Sequence, residues 1–449
     1  MSLPFKYRAR EDYVEGTIKE VQNDECSSLQ IGEFYLKRSV LEPGHVLAIL
    51  QHATRSNQLK EIKFCGVTLE EESTGVLSSL LQEGSCKQLR HLSFSACRGC
   101  GIQALSREST ITPLEFIRIE ATDMTGSDLN ALWSYVQYSQ SLQNLQLFEA
   151  NIAVDSNDNG NRLTAALSET ASLRFLELSY CIFDDQSISH LVHGLANKQS
   201  LHTLSIPAGE LDDSQLKRIL SNLTNLSKLK VLKLPRNFLQ QEGSEALGDL
   251  LDQNTSSCHL ESLDLSHQHT ERATKLDSRM FSQHLTTNSS LTSLNLSFCK
   301  LNNVDAIALA SSLGHNQALQ DLDLRSNNIR DDGIIALADY IGSSPRLKKM
   351  FLFGNPFREA GAAALYKAIK VNTIMQILNM GYSSCYYDII QLYTCLNRAG
   401  RGLLSQDLDP AIWPMVFARS EAISRSSRGT CSSADLIFQL LHGPVLMEL

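Results

Sequence analysis

Cys97 and Cys100 form a C-x-x-C pair inside the stretch LSFSACRGC. Thiols at this spacing serve either as half of a zinc site or as a redox couple. Zinc would require two more ligands at comparable spacing, and no second C-x-x-C occurs. Of twelve histidines, His267 and His269 stand closest together. No carboxylate pair or cysteine flanks them, so they read as part of a solvated turn. The chain holds no G-x-x-x-x-G-K-[ST] phosphate loop, no H-E-x-x-H and no G-x-S-x-G. These spacings assign no catalytic, cofactor-binding or metal-binding residue. The chain is expected to be no enzyme and to need no cofactor.

The elements that position Cys97 follow from a repeat. LTSLNLSFCKL at Leu291 recurs as LQDLDLRSNNI at Leu319 and as LKKMFLFGNPF at Leu347. The frame L-x-x-L-x-L-x-x-[N/C/T]-x-apolar starts at Leu59, Leu89, Leu114, Leu142, Leu173, Leu201, Leu229, Leu260, Leu291, Leu319, Leu347 and Met375, most often 28 residues apart. Leu29, Ile31 and Phe34 mark a degenerate turn ahead of them. Each unit opens with alternation, as in Leu322-Asp-Leu324, which predicts a short strand with one buried face. It continues with helical spacing, as in Ile334, Leu337, Ala338 and Ile341. A single unit cannot bury its own apolar face, but stacked neighbours can.

The twelve frames resemble the leucine-rich repeat, and the unit length is similar to that of the ribonuclease-inhibitor-like class. The resemblance implies an α/β horseshoe with parallel strands on a concave face and helices on a convex one. In that family the ninth frame position points inward and bonds backbone left unpaired as the chain leaves the strand. Asn237, Asn327 and Asn355 hold it in three units, and Cys97, Cys181 and Cys299 in three others. Cys97 is then structural, and Cys100 falls in the turn behind it. The expected organisation is an N-terminal segment (1–25), a repeat array (26–384) and a C-terminal helical cap (385–449).

Outward strand positions would form columns across the concave face. Asp264, Asn295 and Asp323 share the fifth position of consecutive units, with Asp321 two residues before Asp323 and Arg325 at the seventh position. Strands about 4.8 Å apart would make these oxygens an acidic strip. Phe148, Phe175 and Tyr180 come from neighbouring units, and Phe351, Phe353 and Tyr382 form a second aromatic group. Apolar groups on an open surface mark interaction sites, so these ten side chains of the strip and the two aromatic groups, Asn295 apart, are the expected partner-binding residues.

In the tail, Ile389, Ile390, Tyr393 and Leu396 share one predicted helical face, and Trp413, Leu436, Ile437 and Leu440 are expected to be buried in a cap. The helix-then-Pro pattern of the tail also resembles boxes that recruit ubiquitin-ligase adaptors. A net charge of −9 argues against nucleic-acid and anionic-membrane partners. Eleven scattered cysteines, with no apolar leader in MSLPFKYRAREDYVEG, suggest reduced thiols in the cytoplasm, with the nucleus as second candidate. The expected function is a monomeric scaffold that binds a protein partner on the concave face. The alternative is a substrate-recognition subunit of a ubiquitin ligase, recruited through the tail.

Overall fold

The structure is a computed structural model that describes residues 10–22, 26–32, 41–81, 86–106, 113–122, 124–153, 157–196, 198–254, 256–268, 276, 278–381 and 384–399. Phe34, His269, Tyr382, Trp413, Leu436, Ile437 and Leu440 lie outside them. Two compact units divide the chain: Met1–Leu211 with Asn225–Lys233, and Asp212–Thr224 with Leu234–Leu449.

In the first unit, strands Ser28–Ile31, Glu61–Cys65, His91–Ser95, Phe116–Glu120, Asn144–Phe148, Phe175–Ser179, Thr203–Ser205 and Val231–Lys233 lie side by side in chain order. In the second, Ser262–Asp264, Ser293–Asn295, Asp321–Asp323, Lys349–Phe351 and Ile377–Asn379 do the same. Within each unit the paired strands are parallel and in frame: Leu145 is opposite Leu176, and Leu322 is opposite Leu294 and Met350. Identical units stacked without offset must pair this way, because a one-residue slip would turn every leucine into water. Leu322 and Leu324 are fully buried while Asp321 and Asp323 between and beside them stay partly exposed. Each such leucine contributes about 1.5–3 kcal/mol of burial.

Helices alternate with the strands. Leu216, Ile219, Leu220 and Leu223 are the buried stripe of helix Asp213–Leu223, and Ile334, Leu337, Ala338 and Ile341 are buried in Asp331–Ser343. The expected α/β order of parallel strands and helices is therefore observed in each unit. The unit starting at Leu89 departs from it. With 25 residues before the next frame, at Leu114, it is too short for a full helix and makes a 3₁₀ turn, Gly101–Leu105.

Both ends carry helices. Arg10–Gln22 lies ahead of the frames, where the repeat offered no reason to expect one. Val14 and Val21 bury its inner side, and Tyr13 donates its hydroxyl to Gln30 O (2.9 Å) and accepts the Gly32 N–H (3.3 Å). Beyond the last strand, helix Tyr387–Ala399 buries Ile390, Tyr393 and Leu396. Ile389, expected on the same face, is 36% exposed. It sits one residue, about 100°, round the helix from Ile390. No helix among the described residues is long and apolar enough to cross a membrane.

Candidate binding surface

Two frame positions, the ninth and the eighth, shape the end of the strands. The ninth is the inward one. Cys97, Cys181 and Cys299 are 2%, 2% and 0% exposed, and each thiol points at carbonyls of its own and the preceding unit. Cys97 Sγ reaches Phe64 O and Ser95 O (both 3.4 Å), and Cys299 Sγ reaches Leu265 O (3.1 Å) and Ser297 O (3.4 Å). Asn327 does more at the same place. It donates to Leu296 O and Leu324 O (both 2.9 Å) and accepts the N–H groups of Cys299 (2.9 Å) and Leu301 (3.0 Å). A thiol can only imitate the donor half of that amide. Burial pushes the Cys97 thiol up to about 11 and those of Cys181 and Cys299 up to about 12, so they stay protonated. Gln268 fills the ninth position of the Leu260 unit, donating to Leu234 O (2.5 Å) and accepting Leu239 N–H (3.1 Å). A frame written for Asn, Cys or Thr misses it, although its amide is the same chemistry one carbon further out. Cys100 bonds away from Cys97, to Leu69 O (3.7 Å) and Thr74 Oγ1 (3.2 Å), and both thiols are free.

The eighth position is left-handed in all eleven frames from Leu59 to Leu347. Gly66 and Gly354 hold it in two, and Ala96, Ala121, Glu149, Tyr180, Ala208, Arg236, His267, Phe298 and Ser326 in the others. Left-handed backbone costs an L-residue about 1–2 kcal/mol. The conformation persists because it turns the N–H onward to the next unit, as from Ala96 to Glu120 O (2.8 Å) and from Tyr180 to Pro207 O (2.8 Å). Its side chain is thereby carried to the rim of the sheet. Tyr180 is 51% exposed and Phe298 39% exposed, the latter stacked on His267 with centroids 4.1 Å apart. Phe298 was not among the expected site residues.

The face away from the helices carries positions three, five and seven. In the first unit, Phe175 is opposite Asn144 and Thr203, whereas Phe148 is opposite Glu120 and Ser179. Four residues, about 13 Å, separate those rows along the strand. The three aromatics expected to form one patch are therefore spread out, with Phe148 and Tyr180 toward one end and Phe175 at the other. Phe148 is also covered. The Arg118 guanidinium lies 4.2 Å over its ring while bonding Glu120 (2.9 Å) and Gln146 (3.1 Å).

In the second unit, Asp264, Asn295 and Asp323 do stand in one row, which continues to Phe351 and Asn379. Each of the first three spends a side-chain oxygen on the N–H two residues ahead: Ser266 (2.9 Å), Ser297 (3.0 Å) and Arg325 (3.0 Å). Asp323 also holds Arg325 through Nε (2.9 Å) and Nη2 (2.5 Å), and Asp321 pairs with Lys349 (2.7 Å). The strip expected to be acidic thus has two of its three carboxylates matched by cations of its own sheet. Lys349 was legible, because it occupies the same third position as Asp321 one unit later. Arg325 sits 5.4 Å from the Phe351 ring centre. Phe353 is 54% exposed and leans toward Gly381, where an added Cβ would meet its ring at 3.1 Å. Among the described residues, no three His, Cys, Asp or Glu side chains are grouped to hold a metal.

A family model described as Leucine Rich repeat matches residues 287–310 and 315–338. Among solved structures, the chain is similar to an internalin (inlF) from Listeria monocytogenes str. 4b F2365, at 16% identity and a TM-score of 0.48, over 83% of this chain and 95% of that one. It is also similar to leiomodin-1 actin-binding site 2, at 16% identity and a TM-score of 0.30, over 37% of this chain and 95% of that one. No curated protein matches. The chain carries leucine-rich repeats, seen in the matched sequence and in the alternation of parallel strands with helices in each unit.

Proposed function

We propose that the protein is a non-enzymatic scaffold of the ribonuclease-inhibitor-like class that binds a protein partner on the sheet face opposite its helices. The observation that carries this is the exposure of large aromatic side chains there, Tyr180 at 51% and Phe353 at 54%. Rings held in water on a stacked, hydrogen-bonded backbone lose little freedom on binding. They make natural anchors, in the first unit through Tyr180 and, separately at the other end of its strand, Phe175, and in the second through Phe353 with Phe351 and Phe298. Phe148, shielded by Arg118, belongs to the proposed surface of the first unit. Asp264, Asp321, Asp323 and Arg325 would set orientation and association rate more than affinity. On this reading the chain works as a cytoplasmic monomer, without cofactor, nucleic acid or membrane.

The test is partner capture with Tyr180→Ala and Phe353→Ala beside the wild type, with Lys217→Ala on the helix side as control. A true anchor should cost about 2 kcal/mol or more of binding, and the control almost nothing. Retention of the partner by both aromatic variants, with loss in helix-side variants, would move the site to the other face. A second reading, recruitment of a ubiquitin ligase through residues 385–449, draws on Ile389, which the helix Tyr387–Ala399 leaves 36% exposed. Ligase subunits that bind the wild type and are lost on Ile389→Asp would favour it.

A further inference from the structure

On the face away from the helices, arginines pair within the chain by a recurring arrangement. In each case the carboxylate lies two residues from the guanidinium on the same strand, and the next strand adds further partners. In the first unit Arg118 donates to Glu120 (2.9 Å) and to Gln146 Oε1 on the next strand (3.1 Å), over the Phe148 ring. In the second unit Arg325 donates to both oxygens of Asp323, from Nε to Oδ1 (3.0 Å) and from Nη2 to Oδ2 (2.5 Å), beside the Phe351 ring. Asp323 does this while its Oδ1 also accepts the Arg325 backbone N–H (3.0 Å).

Asp264 stands in the same row as Asp323, two strands away, and binds backbone in the same way: its Oδ1 accepts the Ser266 N–H (2.9 Å). The cation differs. Ser266 occupies the frame position of Arg325, and no cation among the described residues pairs with Asp264. Directly opposite on the next strand lies Asn295, in the amide role that Gln146 plays for Arg118. Both Asp264 and Asn295 are partly exposed, so a group from outside reaches them. The floor beside them is polar. Ser266 and Ser297, at the seventh position of the two strands, are 6% and 4% exposed, and their hydroxyls make no hydrogen bond among the described residues. Only Ser, Asp and Asn fill positions three, five and seven of these strands, whereas the next two carry Arg325, Lys349 and Phe351. Short side chains beside long ones leave a hollow two strands wide. Phe298, stacked on His267 at 4.1 Å between centroids, bounds its rim end.

We infer that Asp264 and Asn295 form a recognition site for an arginine side chain of the protein partner, an inference that rests on the sheet face being where that partner binds. The guanidinium takes at Asp264 the place that Arg325 takes at Asp323. It donates to the carboxylate, and a further N–H reaches Asn295 Oδ1, which like Gln146 Oε1 keeps a lone pair for it. Charge selects the occupant. Asp321 and Asp323 are matched by Lys349 and Arg325, so Asp264 leaves this part of the row one negative charge in excess. An anion would be repelled. Arginine fits better than lysine because its planar fork offers several N–H groups to a carboxylate and a neighbouring amide at once, which a single ammonium cannot match in direction.

Nuclear magnetic resonance of the isotope-labelled full chain tests this, with N-acetyl-arginine methylamide as the probe. The lysine and citrulline analogues at equal ionic strength are the controls. The backbone signals of Ser266 and Ser297 and the side-chain amide of Asn295 should shift saturably, with arginine binding about tenfold tighter than citrulline, its neutral isostere. Asp264→Asn should abolish the response and keep the fold, since Asn295 accepts the equivalent N–H (3.0 Å) with an amide. Ser266→Arg should abolish it by supplying the guanidinium from within the chain, as Arg325 does. No shift in the wild type, equal shifts from either analogue, or shifts that survive Asp264→Asn would each overturn the inference. The probe needs no partner, so this result stands apart from the wider reading, which Tyr180→Ala and Phe353→Ala report. In partner capture, Ser266→Arg should weaken binding about tenfold. Capture lost in the two aromatic variants but unchanged in Ser266→Arg would keep the partner on the sheet face and remove its arginine from this site.

Discussion

Lys198 occupies the place that Asn288, Asn316 and Asn372 hold in their repeats, three residues ahead of the leading residue. It is 2% exposed and donates its ammonium to Thr170 O. A cation is a poor substitute for an amide in that position, since it brings a donor but also a charge to desolvate. Burial pushes its pKa from 10.5 down to about 8. The unfolded chain therefore binds more protons between those values, and stability should rise with pH from about 8 to 10.5. Below 8 both states are charged and the folded one carries the full penalty. Lys198→Asn should raise stability at neutral pH and abolish this rise. Urea midpoints of wild type and variant across pH 7 to 11 check it, and a constant difference between the two would refute the buried-charge account.

At the scale of the element, the eighth-position turn and the helix starts each link one repeat to the next. Ala121 and Ala208 have φ of 45° and 52°. Glycine relieves about 1–2 kcal/mol of left-handed strain and returns about 0.5–1 kcal/mol of it as chain entropy. Ala121→Gly or Ala208→Gly should therefore be neutral or stabilising by up to about 1 kcal/mol, and Ala208→Val clearly destabilising. Denaturant titration of the three variants decides it. The helix starts are coupled differently. Helices Gln241–Leu251 and Glu359–Val371 have no cap from their own N-cap side chains. Asp213, on the preceding helix, accepts Gln240 N–H (2.7 Å), Glu242 N–H (2.8 Å) and Gly243 N–H (2.9 Å) instead. Asp331 likewise accepts Arg358 N–H and Gly361 N–H (both 2.8 Å). Asp331→Ala should cost about 1–2 kcal/mol, the worth of a cap. The faster amide exchange should appear at Glu359–Ala362, one repeat beyond the mutated helix. Exchange confined to Asp331–Ser343 would show that the carboxylate serves only its own helix.

For the whole chain, stability in a repeat array is close to a sum over neighbouring units. The terminal helices matter because each covers a unit with a neighbour on one side only. Deleting residues 387–449 uncovers Met375 and Leu378, both fully buried, and strips the amide of Gln391 from Leu378 O and that of Asn397 from Asn372 O and Met375 O. Hydrogen exchange should then quicken first in residues 347–381 and leave Ser262–Asp264 nearly unchanged. Uniform loss across the second unit would mean that it unfolds as one block.

The periodicity determined much of this protein. The alternation of buried and exposed positions placed the strands, their in-frame pairing and the row from Asp264 to Asp323. The ninth position marked Cys97 as structural. These features were legible because burial is a property of each residue's own type, repeated at a period that the chain displays openly. Only the tertiary structure decided what the outward side chains do. Arg118 lies over Phe148, Arg325 is held by Asp323, and the left-handed eighth residue carries Tyr180 and Phe298 to the rim. Those outcomes depend on rotamers, on the backbone at the strand end and, for Arg118 over Phe148, on a neighbour one repeat away in sequence but one strand spacing, about 4.8 Å, away in space. No hydrophobic period encodes such contacts. They arise when identical frames stack and bring unlike side chains to the same height.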